Sequence, residues 1–218
     1  MIAIRKFKAI DPLFHELNVI KPLNLADASL FFEIRTITEL TYLNHSKKIF
    51  EFPEVINRIE VEIKHFKNGI NLEFRNLMYV RLFYSYFLLG RYTEANKWIS
   101  KILNKNEKGF TPNIISLAKI MHLILFIEMK KFDILPYALK STYRYFYKSG
   151  KLYQFENIVL SFIRNLVKVQ TREELIQSYQ VFKTDLELIT QNPFENKILY
   201  EFDLIGWLNN KIDQEKQK

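Results

Sequence analysis

The chain has 218 residues, and 48% of them are hydrophobic, which is enough for a sizeable core in one or two ordinary domains. Five glycines and six prolines are too few for an all-β protein rich in tight turns. Because there is no cysteine, disulfides, thiolate metal sites and a cysteine nucleophile are excluded.

The net charge of +8 is concentrated in the middle of the chain, where residues 71–170 hold 16 Lys and Arg against 6 Asp and Glu. Such a segment attracts an acidic partner, a nucleic acid or a membrane surface. Compositional bias is the alternative, because the chain is rich in Lys, Asn, Ile, Phe and Tyr and holds only 7 alanines.

The first 25 residues are predicted to be irregular or a partial repeat, because Pro12 and Pro22 prevent one long helix. Arg5 and Lys6 interrupt any secretory signal, and the longest apolar stretch, 114–127, is too short to span a bilayer. We therefore expect a soluble, cytoplasmic protein without a membrane segment.

From Ala26 onward the apolar spacing predicts helices, and the first helices of successive pairs begin near residues 26, 71, 112, 152 and 193. Thr111-Pro112 is a strong helix start, Asp133 is a candidate cap, and Thr171 with Glu174 forms a capping box. Asn192-Pro193 is predicted to start the last long helix, which gives way to a charged tail over residues 213–218.

A period of about 40 residues relates Phe52, Tyr92, Phe132 and Arg172, each at the start of a predicted helix. A fixed period of this size is typical of stacked helical hairpins. The sequence therefore predicts one all-α domain over residues 1–218, a right-handed solenoid of about nine to eleven helices.

The hairpin predicted over residues 71–105 resembles a tetratricopeptide repeat. The positions that carry the resemblance are the aromatic Tyr79, Leu82, Tyr86, the turn residues Gly90 and Tyr92, and the small Ala95. Phe83 departs from the pattern at a small position, and the period exceeds the family's usual 34 or so residues. In the next hairpin Phe132 matches Tyr92, while Leu135 replaces Ala95.

The segment 114–212 is also similar to the C-terminal parts of uncharacterised bacterial tetratricopeptide-like proteins, through residues 139–144, 162–166 and 202–208. Together the resemblances imply a right-handed α-α superhelix whose first helices line a concave, partner-binding face. The candidate partner-binding residues that follow are Tyr84, Phe87, Leu88, Ile124, Glu128, Asn157, Arg164 and Lys168.

These positions predict an apolar groove with a basic, amide-bearing end, in which Asn157, Arg164 and Lys168 bind a carboxylate or an acidic peptide. The function expected is a non-catalytic scaffold that binds a protein or peptide. The alternative for the apolar positions is that they pack against one another. Neither the partner's identity nor the oligomeric state follows from the sequence.

Catalysis and cofactors are not expected, because the four histidines lack metal spacing and no phosphate loop or nucleophile elbow is present. His122, on an apolar helix, is interpreted as a core residue. An alternative function is nucleic-acid binding through residues 130–151, where lysines and arginine alternate with aromatic residues, although those aromatics are expected to face mostly the core. A second alternative is a structural module of a larger assembly, which exposed apolar residues at the N-terminal edge would favour.

Overall fold

The structure, a computed structural model, describes residues 16, 19–46, 49–66, 69–104, 109–192, 199 and 201–217. In this part of the chain every regular element is helical, so the all-α prediction is confirmed. The α-helices are α1 (Leu25–Ser46), α2 (Phe52–His65), α3 (Leu72–Leu88), α4 (Tyr92–Leu103), α5 (Pro112–Glu128), α6 (Leu135–Ser149), α7 (Gln154–Leu166), α8 (Arg172–Ile189) and α9 (Leu204–Lys216). A 3₁₀ turn, Ile49–Glu51, precedes α2.

The chain divides into two compact units, residues 1–115 and 116–218. In the first unit α1 packs against α2 and α3, and α3 packs against α4. In the second unit α7 packs against α6 and α8, and α8 packs against α9. A single domain over residues 1–218 and a right-handed superhelix stay predictions.

The hairpin α3–α4 contains the residues that resemble a tetratricopeptide repeat. Its first helix begins at Leu72 and is capped by Asn71, whose side-chain oxygen accepts a hydrogen bond of 2.8 Å from the backbone N–H of Glu73. Ala95 on the second helix is fully buried, so the two helices approach closely there. The Tyr79 ring of α3 and the Trp98 ring of α4 contact each other, with their centroids 5.3 Å apart. Phe83, the departure from the family pattern, is also fully buried.

The 40-residue period is visible in the backbone, because α3 and α5 each have 17 residues and start 40 positions apart. Both helices end in a left-handed residue, Gly90 with φ 70° and Lys130 with φ 54°, and α6 ends in the same way at Gly150 with φ 64°. In each case the next backbone N–H donates to a carbonyl five residues back, the pattern of a Schellman motif. The donor and acceptor residues are Arg91 and Tyr86 (3.0 Å), Lys131 and Phe126 (2.9 Å), and Lys151 and Phe146 (3.1 Å).

The start of α6 breaks the period. Phe132 was predicted to open this helix and Asp133 to cap it, and both predictions are wrong, since the helix begins at Leu135 and its N-cap is Ile134. A helix that began at Phe132 would put Pro136 in its interior, where proline lacks the required N–H and clashes with the carbonyl four residues back.

The predicted match of Leu135 to Ala95 agrees with the structure. Each residue donates to the carbonyl four residues back, just after the Schellman turn (Ala95 to Arg91 at 3.0 Å, Leu135 to Lys131 at 3.2 Å), and both side chains are fully buried.

Other helix starts follow the predicted signals. The Thr111 hydroxyl accepts from the N–H of Ile114 at 3.4 Å, and Thr171 and Glu174 form the predicted capping box. The start predicted at Asn192-Pro193 falls largely on residues 193–198, outside the described residues. The last helix, capped by Asp203, extends through Lys216, so residues 213–216 of the predicted tail are helical.

Candidate functional site

A groove of about 460 Å³ lies between α7 and α8 in the second unit. The five residues from 167 to 171 connect these helices, and a connection this short makes neighbouring helices antiparallel. The groove therefore runs along both helices, with the turn at one end.

The floor of the groove is apolar and supported by an aromatic pair. Phe162 of α7 and Phe182 of α8 stack with ring centroids 4.0 Å apart and an interplanar angle of 7°. Both rings are almost fully buried, whereas Val181, beside them, is 54% exposed. Ile158 completes the floor. Because the stacked rings join the two helices, the floor is held in place by the core of the unit.

The walls of the groove carry uncharged polar side chains from both helices. Ser161 and Asn165 come from α7, and Gln177 and Ser178 come from α8. Hydroxyl and amide groups both donate and accept hydrogen bonds, so these four side chains can pair with the backbone of an extended segment.

The charged residues of the groove lie at its two ends. Lys168 and Glu174 are at the turn end, and Asp185 is at the other. The Glu174 carboxylate belongs to the capping box, since its Oε2 atom accepts from the backbone N–H groups of Gln170 at 2.9 Å and Thr171 at 3.3 Å. Lys168 and Glu174 are both exposed, so the turn end carries one positive and one negative charge, and the exposed Arg164, one turn before Lys168, makes the balance there positive.

Of the eight residues predicted to bind a partner, Asn157, Arg164 and Lys168 are exposed on α7 and the turn after it. Their spacing of seven and four residues places them along one side of the helix, and Lys168 lines the groove. The Asn157 amide donates to the carbonyl of Tyr153 at 3.1 Å, one turn back.

The other five predicted residues are not among those that line this groove. Tyr84, Phe87 and Ile124 are at most 6% exposed, and Leu88 is half-buried. A partner would reach the three buried side chains only if the surrounding residues moved, and burial of this kind agrees with the packing alternative.

Glu128 is the fifth of these residues, and its carboxylate is paired inside the second unit. It accepts from the indole N–H of Trp207 and from Lys211 Nζ at 2.7 Å, and its side chain is only 5% exposed. Tyr179 packs edge-on against Trp207 at 6.1 Å. Burial, with smaller contributions from the charges of Glu128 and Glu215, raises the pKa of the Tyr179 phenol to about 12. The cluster ties α5 to α9.

Sequence reasoning missed most of the groove, namely Ser161, Phe162, Asn165 and the three α8 residues Gln177, Ser178 and Val181. The tetratricopeptide resemblance implies a binding face made only of the first helix of each hairpin. Half of this groove comes from α8, the second helix of its hairpin. One residue could have indicated that α8 takes part in a binding surface. Val181, between Gln180 and Phe182, is apolar but falls on the exposed side of α8.

The N-terminal edge of the described chain exposes apolar side chains, as the assembly alternative anticipates. Five of them are at least 54% exposed: Val19, Ile20, Leu23, Leu25 and Leu30. This exposure favours that alternative, which stays a prediction.

Within the described residues, no three His, Asp or Glu side chains gather into a possible metal site. None of the helices described is both long and apolar enough to cross a membrane.

The fold and the groove thus define a class, an all-α protein of helical hairpins with a polar-walled groove between two of its helices. Comparison of the chain with protein-family models, curated proteins and solved structures finds no match.

Proposed function

We propose that the chain is a non-catalytic, tetratricopeptide-like interaction protein, whose α7–α8 groove binds an extended, acidic peptide segment of a protein partner. The observation that carries the proposal is the groove itself, which combines an apolar floor with four hydroxyl and amide side chains.

Each part of the groove has a role in the proposed complex. The exposed Val181 and the Phe162–Phe182 floor take an apolar side chain of the peptide. The amides of Asn165 and Gln177 pair with its backbone, because an extended strand leaves N–H and C=O groups unpaired. Since α7 has 13 residues, it is about 20 Å long and accommodates roughly six extended residues.

Charge gives the proposed peptide its direction. Lys168 at the turn end and Arg164, one turn earlier on α7, are both exposed. A carboxylate that binds between them makes charge-assisted hydrogen bonds, which are stronger than neutral ones. Asp185 at the other end of the groove repels an acidic group there, so the acidic residues or the terminal carboxylate of the peptide lie towards the turn.

The test is selection of peptides from a displayed random library on the purified chain, followed by affinity measurement on the selected peptides. We expect peptides with an apolar residue beside acidic ones. The double variant Arg164→Ala/Lys168→Ala should weaken binding by about 1–2 kcal/mol, or 5- to 30-fold. Lys140→Ala/Lys148→Ala, which removes the same charge from α6, is the matched control and should bind as the wild type does.

Two results would contradict the proposal. One is the selection of peptides without acidic residues whose affinity is unchanged by Arg164→Ala/Lys168→Ala. The other is equal weakening by both double variants, because that would indicate a general charge effect and no specific groove.

A further inference from the structure

Among the helices that the structure describes, α6 is the most basic. It contains Lys140, Arg144 and Lys148 and no acidic residue. With its flanking turns, the segment 130–151 holds six basic residues and one acidic residue, Asp133. An exposed surface of this composition attracts a polyanion.

The structure places the aromatic residues of α6 differently from the expectation that they face the core. Tyr137 is 78%, Tyr143 39% and Tyr147 71% exposed, and Phe132 before the helix is 48% exposed. The core side of the helix is formed instead by Leu135, Leu139, Thr142 and Phe146. The expectation was wrong because Tyr137 lies opposite Phe146 around the helix axis, while Tyr147, about 100° from it, and Tyr143, about 60° from it, lie beside the core side.

The tyrosines and the basic residues share one face. Positions 137, 140, 144, 147 and 148 are separated by three or four residues, or are adjacent, so they form a stripe along the helix. Lys140, Arg144 and Lys148 are exposed, and no ion pair in the described part of the chain involves any of the three. We call this stripe, with Tyr143 at its border, the tyrosine–lysine face.

Two rings of this face are already parallel. The centroids of Tyr143 and Tyr147 are 6.2 Å apart, and their planes differ by 17°. Lys140, Arg144 and Lys148 follow one another at intervals of four residues, or about 6 Å along the axis. That interval is comparable with the distance between successive phosphates of an extended single strand.

We propose that the tyrosine–lysine face binds single-stranded nucleic acid, with the cations on the phosphates and the tyrosine rings stacked on bases. Every base has a π-face, so stacking of this kind tolerates any sequence. Single strands are favoured over duplexes because bases paired inside a helix do not expose their faces to a side chain. From Tyr137 to Lys148 the face is about 16 Å long, which suits a few nucleotides.

A lipid surface fits the same face less well. Helices that lie on membranes bury an apolar side of Leu, Phe or Trp in the lipid. The apolar side of α6, with Leu139 and Phe146, is buried in the protein, and its exposed face offers phenol rings with hydroxyl groups.

The experiment is fluorescence anisotropy of labelled short oligonucleotides with the full chain in a series of rising salt, using single-stranded DNA, single-stranded RNA and a duplex. We expect binding of the single strands, weaker binding of the duplex, and a log–log salt slope of about −2 from three phosphate contacts. Removal of two contacts in Lys140→Ala/Lys148→Ala should make that slope shallower, at about −0.7.

The tyrosines provide the sharper test, because Tyr137 and Tyr147 are exposed and their replacement leaves the core intact. Tyr137→Ala/Tyr147→Ala should weaken single-strand binding at least about fivefold per stacked ring. Tyr137→Phe/Tyr147→Phe keeps both rings and should retain the affinity. Lys21→Ala/Lys216→Ala, which removes the same charge at two exposed positions outside this face, should also retain it, and a thermal melt of each variant verifies the fold.

The proposal is overturned if no complex forms at low salt, or if the duplex binds as tightly as the single strands. It is equally overturned if the alanine and phenylalanine variants bind alike. Polyglutamate and anionic lipid vesicles are the remaining controls. If either binds as tightly as the oligonucleotides, and the tyrosine variants leave that binding unchanged, the face is a general anion-binding surface and the proposal fails.

Discussion

His122 on α5 connects the stability of the protein to pH. The imidazole lies 4.1 Å from the Phe126 ring, between centroids, and is partly buried. Burial, together with the positive charges of Lys119 and Lys131, lowers its pKa to about 4 from the ordinary value near 6.5. The folded protein therefore holds His122 neutral at a pH where the unfolded chain already binds a proton.

Acid should consequently favour the unfolded state through this residue. The stabilisation is complete above the unfolded pKa near 6.5 and declines as the pH falls towards 4, by about 2 kcal/mol between pH 7 and pH 5. Urea unfolding at these two pH values measures the loss. The variant His122→Leu has no group to protonate at this position, so the part of the stability loss that comes from His122 should be absent. An equal loss in the wild type and the variant would show that other groups produce the acid sensitivity.

At the level of single elements, the three left-handed helix ends offer a direct comparison. Gly90 and Gly150 adopt positive φ without a steric penalty, whereas Lys130 does so with a side chain. A residue with a Cβ atom pays about 1–2 kcal/mol in this region. The end of α5 is therefore under backbone strain that the equivalent end of α3 avoids.

Two variants that remove the same charge isolate this strain. Lys130→Ala keeps the Cβ atom, and Lys130→Gly removes it. We expect Lys130→Gly to be more stable than Lys130→Ala by about 0.5–1 kcal/mol, since the flexibility of glycine in the unfolded chain offsets part of the gain. Urea denaturation of both proteins measures the difference. If Lys130→Ala is the more stable of the two, the positive φ carries no cost.

For the whole molecule, the net charge of +8 is the property with the widest effect on stability. Repulsion among like charges destabilises a compact state, and salt screens it over about 8 Å at physiological ionic strength. We expect the melting temperature to rise by about 2–4 °C between low salt and physiological salt, which corresponds to about 1 kcal/mol. Thermal unfolding followed by circular dichroism measures this shift.

A variant with less positive charge serves as the control for that experiment. Lys140→Gln/Lys148→Gln removes two cations from α6, where no acidic residue offsets them, so its melting temperature should rise less with salt. A melting temperature that falls with salt would mean that attractive pairs, such as Arg58 with Glu62 at 2.9 Å, outweigh the repulsion.

The sequence predicted helix ends well where a local residue determines them. Pro112 after Thr111, Gly150 and the Thr171–Glu174 capping box each act within one turn of backbone, and the structure has a helix end at each. The prediction failed at Phe132, where the period suggested a start but Pro136 set a later one.

The site was less predictable than the helices. The tetratricopeptide resemblance implied that Asn157, Arg164 and Lys168 lie on a partner-binding face, and all three are exposed. The groove also depends on which side of α8 faces α7. That rotation follows from the stacking of Phe162 on Phe182, a contact between residues 20 positions apart in the chain. Apolar spacing identifies both rings as core residues without showing that they meet.

Helices α3 and α5 have equal lengths, but α6 starts later than the 40-residue period predicts. This difference indicates where the chain tolerates insertions and deletions. One residue added inside α5 turns everything after it by about 100° around the helix axis, which would carry Ile124 and Ile127 out of the core. Residues 132–134 form a turn between α5 and α6, outside both helices. These three residues are the amount by which α6 starts later than the 40-residue period predicts from the start of α4. Between these two hairpins the first helix keeps 17 residues, whereas the connection that follows it is longer in the second hairpin.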